Sequence, residues 1–245
     1  MQINKMDENQ KITKQEKRLL RREERSQEQI QAAKKRLARK ILMWAGIFAG
    51  LGLTIYLMIL LVNRPLPEIK LTTEVSADDR IKGNPNATTT LVEYSDFQCP
   101  ACASYFPLVK KLLEENGDKI RFVYRHFPLP QHQNARLAAN AAEAAGLQNK
   151  FWEMHDLIFE NQFRWEKLSN AKASEEFTGY ATQLGLNLQK FAENLNNEEL
   201  KTKVENDYLS GTASGVNSTP TFFLNGKKIL QPRDYENFKN LVLDA

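Results

Sequence analysis

The 245-residue chain, 42% hydrophobic and 26% charged, has the length for one sizeable domain and an appendage. Its net charge of +4 misleads as an average, because residues 1–40 hold 13 Lys/Arg against 6 Asp/Glu; the remainder is near −3 and offers no basic surface for nucleic acid. Two cysteines are too few for a disulfide framework or an all-cysteine zinc site.

Residues 1–40, rich in Lys, Arg, Glu and Gln, carry apolar side chains at Ile12, Leu19, Leu20, Ile30 and Leu37. A solvated charged helix or a disordered tail is expected there, with a short coiled coil or an interfacial helix on anionic lipid as alternatives. Ile41 to Val62 contains no charged residue, and at ~1.5 Å per residue a helix of that length crosses roughly 30 Å of hydrocarbon. A single transmembrane helix is therefore predicted. Its basic flank places residues 1–40 in the cytoplasm and everything after Asn63 outside the cell membrane. The apolar run is longer than a signal-peptide core, and Asn63-Arg64-Pro65-Leu66-Pro67 lacks a small-X-small cleavage site, so an uncleaved anchor is expected. Residues 63–79 read as a Pro-containing linker with a candidate edge strand over Glu68–Val75, where Ile69, Leu71, Thr73 and Val75 alternate. The stretch from Asp78 to Asn86 is rich in turn residues.

Thr88 to Ser95 is β-branched, aromatic and largely apolar, the pattern of a buried strand. Tyr105, Leu108, Val109, Leu112 and Leu113 then recur at helical spacing. Between the two patterns stand both cysteines, in Cys99-Pro100-Ala101-Cys102. A strand-to-helix turn at this point puts the first sulfur at a helix N-terminus, where unpaired amides and the macrodipole favour a thiolate. Pro100 suits the first helical turn because it has no amide hydrogen to leave unsatisfied. A zinc site would need His126, His132 or His155, which lack compact ligand spacing and read as structural or surface residues. An inert disulfide closing so short a loop constrains the unfolded chain very little. A cycling dithiol is the preferred reading, and an outside compartment suits it.

Gly117-Asp118 ends the helix, and Ile120 to Phe127 reads as a second strand, giving a βαβ unit with a right-handed crossover expected. A helical insertion over about 131–212 follows, with helices expected at Ala135–Ala145, Phe151–Glu160, Glu175–Leu184, Leu188–Leu195 and Glu198–Leu209, the last capped by Asn196 with Glu199. Thr221–Leu224, a turn at Asn225-Gly226, and Lys228–Leu230 form a β-hairpin, and a helix from Asp234 to Leu243 closes the chain. No Gly-rich phosphate loop, HExxH or nucleotide fingerprint is present, so no bound cofactor and no metal is expected.

These pieces resemble the DsbA-like branch of the thioredoxin-fold family over about residues 80–245. The resemblance rests on Val92-Glu93-Tyr94-Ser95-Asp96-Phe97-Gln98-Cys99-Pro100-Ala101-Cys102, Tyr124-Arg125-His126-Phe127-Pro128-Leu129, Phe151-Trp152-Glu153-Met154-His155 and Val216-Asn217-Ser218-Thr219-Pro220-Thr221-Phe222-Phe223. It implies an α/β thioredoxin-like fold with an inserted helical subdomain, and an extracytoplasmic thiol-disulfide oxidoreductase with Cys99 and Cys102 as its reactive pair. It also implies a cis Pro220 beside the cysteines, where Thr219 and Pro220 set an extended substrate against Cys99. Glu93 occupies the position of a buried carboxylate that shuttles the Cys102 proton, against the alternative of a salt-bridged strand residue. Asp96 is ambiguous: its charge opposes a Cys99 thiolate, and helix capping is the alternative. Exported unfolded proteins are the implied substrates, and a quinone-linked membrane protein of the DsbB or vitamin K epoxide reductase type the implied redox partner. Strongly oxidising members carry Pro-His between the cysteines, whereas Pro100-Ala101 here supplies no imidazolium. An oxidase is expected, with a reductase or isomerase, or a tethered peptide-binding module without turnover, as alternatives.

Overall fold

The computed structural model describes residues 14–62 and 70–244, and the chain divides into two units, residues 1–66 and 67–245. In the first unit one unbroken helix, α1, runs from Lys14 to Val62. Its described side chains are exposed throughout, and it is long and apolar enough to cross a membrane. The charged segment is thus helical from Lys14 onward, joined without a break to the apolar stretch. Gln, Glu, Lys and Arg are good helix formers, and no Gly or Pro interrupts the run before Gly46.

The second unit is built on a five-stranded sheet in the order β1-β3-β2-β4-β5. Its strands are β1 (Arg80–Gly83), β2 (Thr89–Ser95), β3 (Ile120–His126), β4 (Thr221–Leu224) and β5 (Lys227–Lys228). Helix α2 (Pro100–Asn116) links β2 to β3, which pair in parallel with Glu93 opposite Tyr124 and Ser95 opposite His126. Six helices form the insertion: α3 (Ala135–Gly146), α4 (Phe151–Glu160), α5 (Gln162–Trp165), α6 (Asn170–Gln183), α7 (Leu188–Leu195) and α8 (Glu198–Ala213), and α9 (Tyr235–Leu243) ends the fold.

Two expectations shift by local chemistry. The cap of α8 is Asn197, whose side chain accepts from the Glu199 amide, one residue later than Asn196. Helix α6 starts at Asn170, where Ser169 caps it, ahead of the apolar pattern that Glu175 begins. The hairpin turn forms as read, with Asn225 at φ 48° and Gly226 at φ 80°, the double positive φ that an Asn-Gly turn supports. Its second strand is shorter than Lys228–Leu230.

The edge strand expected over Glu68–Val75 does not form within the described residues. Residues 63–69 lie outside them, Lys70 makes one antiparallel bridge to Lys227, and residues 71–79 contain no strand. The backbone carbonyls of Thr73 and Glu74 instead accept from the buried Arg125 guanidinium at 3.1 and 2.9 Å, while Leu71 and Val75 pack against the sheet face. A side chain, and not a ladder, satisfies this backbone. The edge strand proper is β1, within the stretch read as turns, and it pairs antiparallel with β3. Four residues with charge at Arg80 and Lys82 are too short and too polar to show a strand period, which is how exposed edges are commonly protected.

The two sheet faces bury separate clusters. One holds Leu91, Phe122 and Tyr124 with the cysteines, α2, α9 and the insertion; the other holds Val92, Tyr94, Val123, Phe127 and Phe223. Each such aromatic or branched side chain contributes about 1.5–3 kcal/mol on burial. Helix α8 lies close enough to the second face that a Cβ on Gly211 would stand 2.6 Å from the Phe127 ring, so glycine is required there.

Candidate active site

Cys99 is the N-cap residue of α2, in extended conformation (φ −75°, ψ 121°), with Pro100 opening the helix. The Ala103 amide donates to the Cys99 carbonyl at 3.1 Å, closing the first turn. Cys99 keeps 7% of its surface accessible and Cys102 none, so an incoming sulfur reaches only Cys99. Both are free thiols. The Cys102 thiol, the Thr219 hydroxyl and the amides of Cys102 and Ala101 together bring the Cys99 pKa down to about 5, against a smaller opposing effect of burial. Cys102 moves the other way: burial first, then the neighbouring Cys99 and the charge of Glu93, push its thiol well above the ordinary value. The Asp96 amide donates to Cys102 Sγ at 3.4 Å.

Thr219 faces this pair from the strand side. Its carbonyl oxygen lies 3.5 Å from Cys99 Sγ, and the Thr219–Pro220 peptide bond is cis. The Pro220 carbonyl accepts from Gln231 Nε2 at 2.8 Å. Thr219 Oγ1 is buried and has no hydrogen-bond partner among the described residues, which leaves it for the Cys99 sulfur once that is a thiolate. Thr219→Val is therefore expected to raise the thiolate midpoint of Cys99 by about one pH unit, the scale of one hydrogen bond to a charged group. Ultraviolet titration of the reduced protein against the C99S variant measures it; an unchanged midpoint would contradict the role.

Glu93, on β2, is 4% exposed. Burial drives its carboxyl up to about 7, with the Ser95 hydroxyl pulling the other way, and its charge acts on Cys102. No salt bridge to Glu93 forms among the described residues. Asp96 neither caps α2 nor stands free: Oδ1 accepts from the Gln98 amide at 2.7 Å, and Oδ2 from the Leu129 amide at 2.8 Å and faces His132 Nδ1 at 2.7 Å. It pins the cysteine loop to the loop after β3. Each histidine faces a carboxylate: His126 that of Glu143, His132 that of Asp96 and His155 that of Asp156. No group of metal-ligating side chains assembles among the described residues.

Two glutamines hold the loop to the insertion. Gln98 donates to the Glu166 carbonyl at 2.6 Å and accepts from the Asn134 amide at 2.6 Å, and Gln162 donates to the carbonyls of Phe97 at 2.6 Å and Cys99 at 3.0 Å. Gln98 could have been suspected from its place beside Cys99; Gln162 looks like any helix glutamine.

A family model described as Thioredoxin matches residues 76–244. The chain belongs to the thioredoxin family. Among solved structures this thioredoxin-family chain is similar to oxidised BdbD from Bacillus subtilis, at 26% identity and TM-score 0.60, covering 71% of this chain and 97% of that one. It shares its fold with the thiol-disulfide exchange protein alpha-DsbA2 from Wolbachia pipientis, at 18% identity and TM-score 0.60, covering 69% and 88%. Several further structural neighbours are DsbA proteins, among them alpha-DsbA1 from Wolbachia pipientis, at 22% identity and TM-score 0.58, covering 69% of this chain and 90% of that one. In sequence the chain is 40% identical over 151 residues to a Salinispora arenicola protein named Na(+)/H(+) antiporter NhaA 1, and 39% identical over 151 residues to Na(+)/H(+) antiporter NhaA of Herminiimonas arsenicoxydans. These matches span 22% and 23% of those relatives, so the chain corresponds to about a quarter of their length.

Proposed function

We propose that this protein is a membrane-anchored thiol-disulfide oxidase that acts outside the cytoplasm and donates the Cys99–Cys102 disulfide to exported proteins. The observation that carries the reading is the division of labour between the sulfurs. Cys99 is reachable and held as a thiolate with a pKa of about 5, while Cys102 is buried and held as a thiol. A stabilised Cys99 thiolate favours the dithiol state, which makes the corresponding disulfide an oxidant and Cys99 a good leaving group.

A substrate thiolate attacks Cys99 of the enzyme disulfide, forming a mixed disulfide and expelling Cys102, which takes up a proton. A second substrate thiolate attacks the substrate sulfur of the mixed disulfide and releases Cys99 as its thiolate. The substrate loses two electrons and the enzyme gains them. Reoxidation falls to a quinone-linked membrane protein of the DsbB or vitamin K epoxide reductase type. The apolar part of α1 would hold the domain in the same plane as that partner, with its basic segment on the cytoplasmic side.

Equilibration of the full chain with glutathione tests the direction. A potential at or above that of protein disulfide isomerase, ~−180 mV, supports the oxidase, and one near that of thioredoxin, ~−270 mV, overturns it in favour of a reductase.

A further inference from the structure

Cys102 gains or loses a proton in each half-cycle, and a substrate joined to Cys99 covers the accessible side of the pair. Behind Cys102 the sheet carries a strip of polar groups within an otherwise apolar cluster. Glu93 and Ser95 on β2 stand opposite Tyr124 and His126 on β3, and all four are at most 4% exposed. The Ser95 hydroxyl is near enough to the Glu93 carboxyl and the Tyr124 phenol to bear on the protonation of both. Ser95 Oγ, the Tyr124 hydroxyl and His126 Nδ1 nevertheless make no hydrogen bond of ordinary length among the described residues. Each buried polar group left unpaired costs about 1–3 kcal/mol, so three at neighbouring ladder positions call for a use.

Beyond His126 the strip runs outward. His126 Nε2 lies 3.0 Å from Glu143 Oε1, and the fully buried Glu143 side chain accepts from Arg80 Nε at 3.0 Å and pairs with Arg80 Nη2. Glu143 and Arg80, with Asp78, Lys203 and Asn206, line a polar cleft of about 360 Å³. Its walls come from the start of β1 and the turn before it, from α3 and from α8, and include none of the residues that hold the cysteines. Around His126 stand Glu143 from α3, Asp207 of α8, which accepts the His126 amide at 3.1 Å, and the rings of Phe97, Tyr124 and Phe151. An imidazole with one nitrogen on a carboxylate and the other buried without a hydrogen-bond partner, its ring 5.3 Å from that of Tyr124, has the two-sided form that passing a proton requires.

We propose that Glu93, Ser95, Tyr124, His126 and Glu143 form an internal proton relay connecting Cys102 to the polar cleft beside Arg80. The inference rests on the Cys99–Cys102 exchange chemistry but not on its direction. When the enzyme disulfide opens, the Cys102 sulfur leaves with the electron pair of the broken S–S bond and takes a proton from the Glu93 carboxyl, which is re-protonated from the cleft. When the disulfide closes, the Cys102 thiol gives its proton to the Glu93 carboxylate, its sulfur attacks Cys99, and the proton leaves by the same groups. One proton moves in each direction, and the electrons stay with the sulfurs.

The test is the rate at which the Glu93 carboxyl exchanges its proton for deuterium. It is read in the full-length protein from the infrared carbonyl band that Glu93→Gln removes, below the pKa of about 7. His126→Phe and Glu143→Gln are each expected to slow exchange by about tenfold or more, within the usual scale of a lost proton-transfer group. A mere packing role predicts the opposite, because a loosened core admits solvent and speeds exchange. Should His126→Phe not fold, His126→Gln keeps a polar partner for Glu143 but cannot pass a proton and is expected to slow exchange alike. Wild-type exchange rates in folded variants would overturn the relay. A thioredoxin-like potential would overturn only the oxidase reading, leaving these rates as they are.

Discussion

Cys99→Ser is expected to abolish disulfide exchange, lowering the rate on a reduced protein or model-peptide substrate by about 10³-fold or more, the scale seen when a covalent nucleophile is removed. Cys99 is the sulfur with accessible surface and the one held at a pKa of about 5, so no other group can form the mixed disulfide. Cys102→Ser should behave differently. The mixed disulfide still forms by attack of Cys99 on a disulfide substrate, but nothing resolves it internally, and a covalent adduct accumulates on non-reducing gels. A Cys99→Ser variant that kept full cellular function would instead identify a peptide-binding module without turnover. The same substitution carries a stability signature. In the reduced protein the folded pKa of Cys99 lies below its ordinary value of 9.0, so the folded state binds fewer protons than the unfolded between about pH 5 and 9. The resulting stabilisation is fully present above the unfolded pKa and is lost as pH falls through about 5. Cys99→Ser should forfeit it, so the wild type should gain stability relative to the variant as pH rises from about 5 towards 9. Urea unfolding of both reduced proteins across that range measures the difference.

Glu93→Gln is expected to make the domain slower and more stable at once. Loss of the carboxyl beneath Cys102 should cut the rate of disulfide opening and closing by about 10²-fold, the lower end of general acid–base effects. Stability moves the other way because the folded pKa, about 7, is raised above the ordinary 4.5 by burial. Between those values the folded state holds a proton that the unfolded state has released, so the wild type loses about 1.4 kcal/mol per pH unit as pH rises from 4.5 to 7. The penalty reaches about 3 kcal/mol above pH 7, and the neutral glutamine escapes it. Thermal unfolding at pH 5 and pH 8 should show wild type and variant nearly level at the lower pH and the variant more stable at the higher. Equal behaviour at pH 8 would mean that burial does not raise the Glu93 carboxyl above its unfolded value. A residue kept at a cost to stability is the pattern of a functional group within a core.

Much of the site was legible because its chemistry is local. Cys99-Pro100-Ala101-Cys102 lies between a β-branched, largely apolar run and a helical run, and Asn225-Gly226 readily supports the positive φ of a tight hairpin turn. Those features need no knowledge of the rest of the chain. β1 escaped notice because four residues with two charges carry no period, and the segment before it read as a strand because its alternation is real. Leu71 and Val75 do turn to one face; that face packs on the sheet instead of pairing at its edge. Asp96 was unreadable for a related reason. Its partners, Leu129 and His132, lie more than thirty residues away.

The amino-acid sequence by itself determined the apolar helix, the cysteine pair at a helix N-terminus, the βαβ unit and the hairpin, since each follows from spacing and backbone preference within a few turns. Only the tertiary structure decided what surrounds the sulfurs. It buried Cys102 while leaving Cys99 reachable, brought Thr219 across 120 residues to the Cys99 sulfur, and placed Glu93, Ser95, Tyr124 and His126 on one inward face, with Glu143 bonded to His126 at 3.0 Å. The pKa of a thiol or carboxyl depends on which dipoles and charges lie within a few ångströms and how much water is excluded. Those are properties of packing between distant segments, which no local pattern encodes.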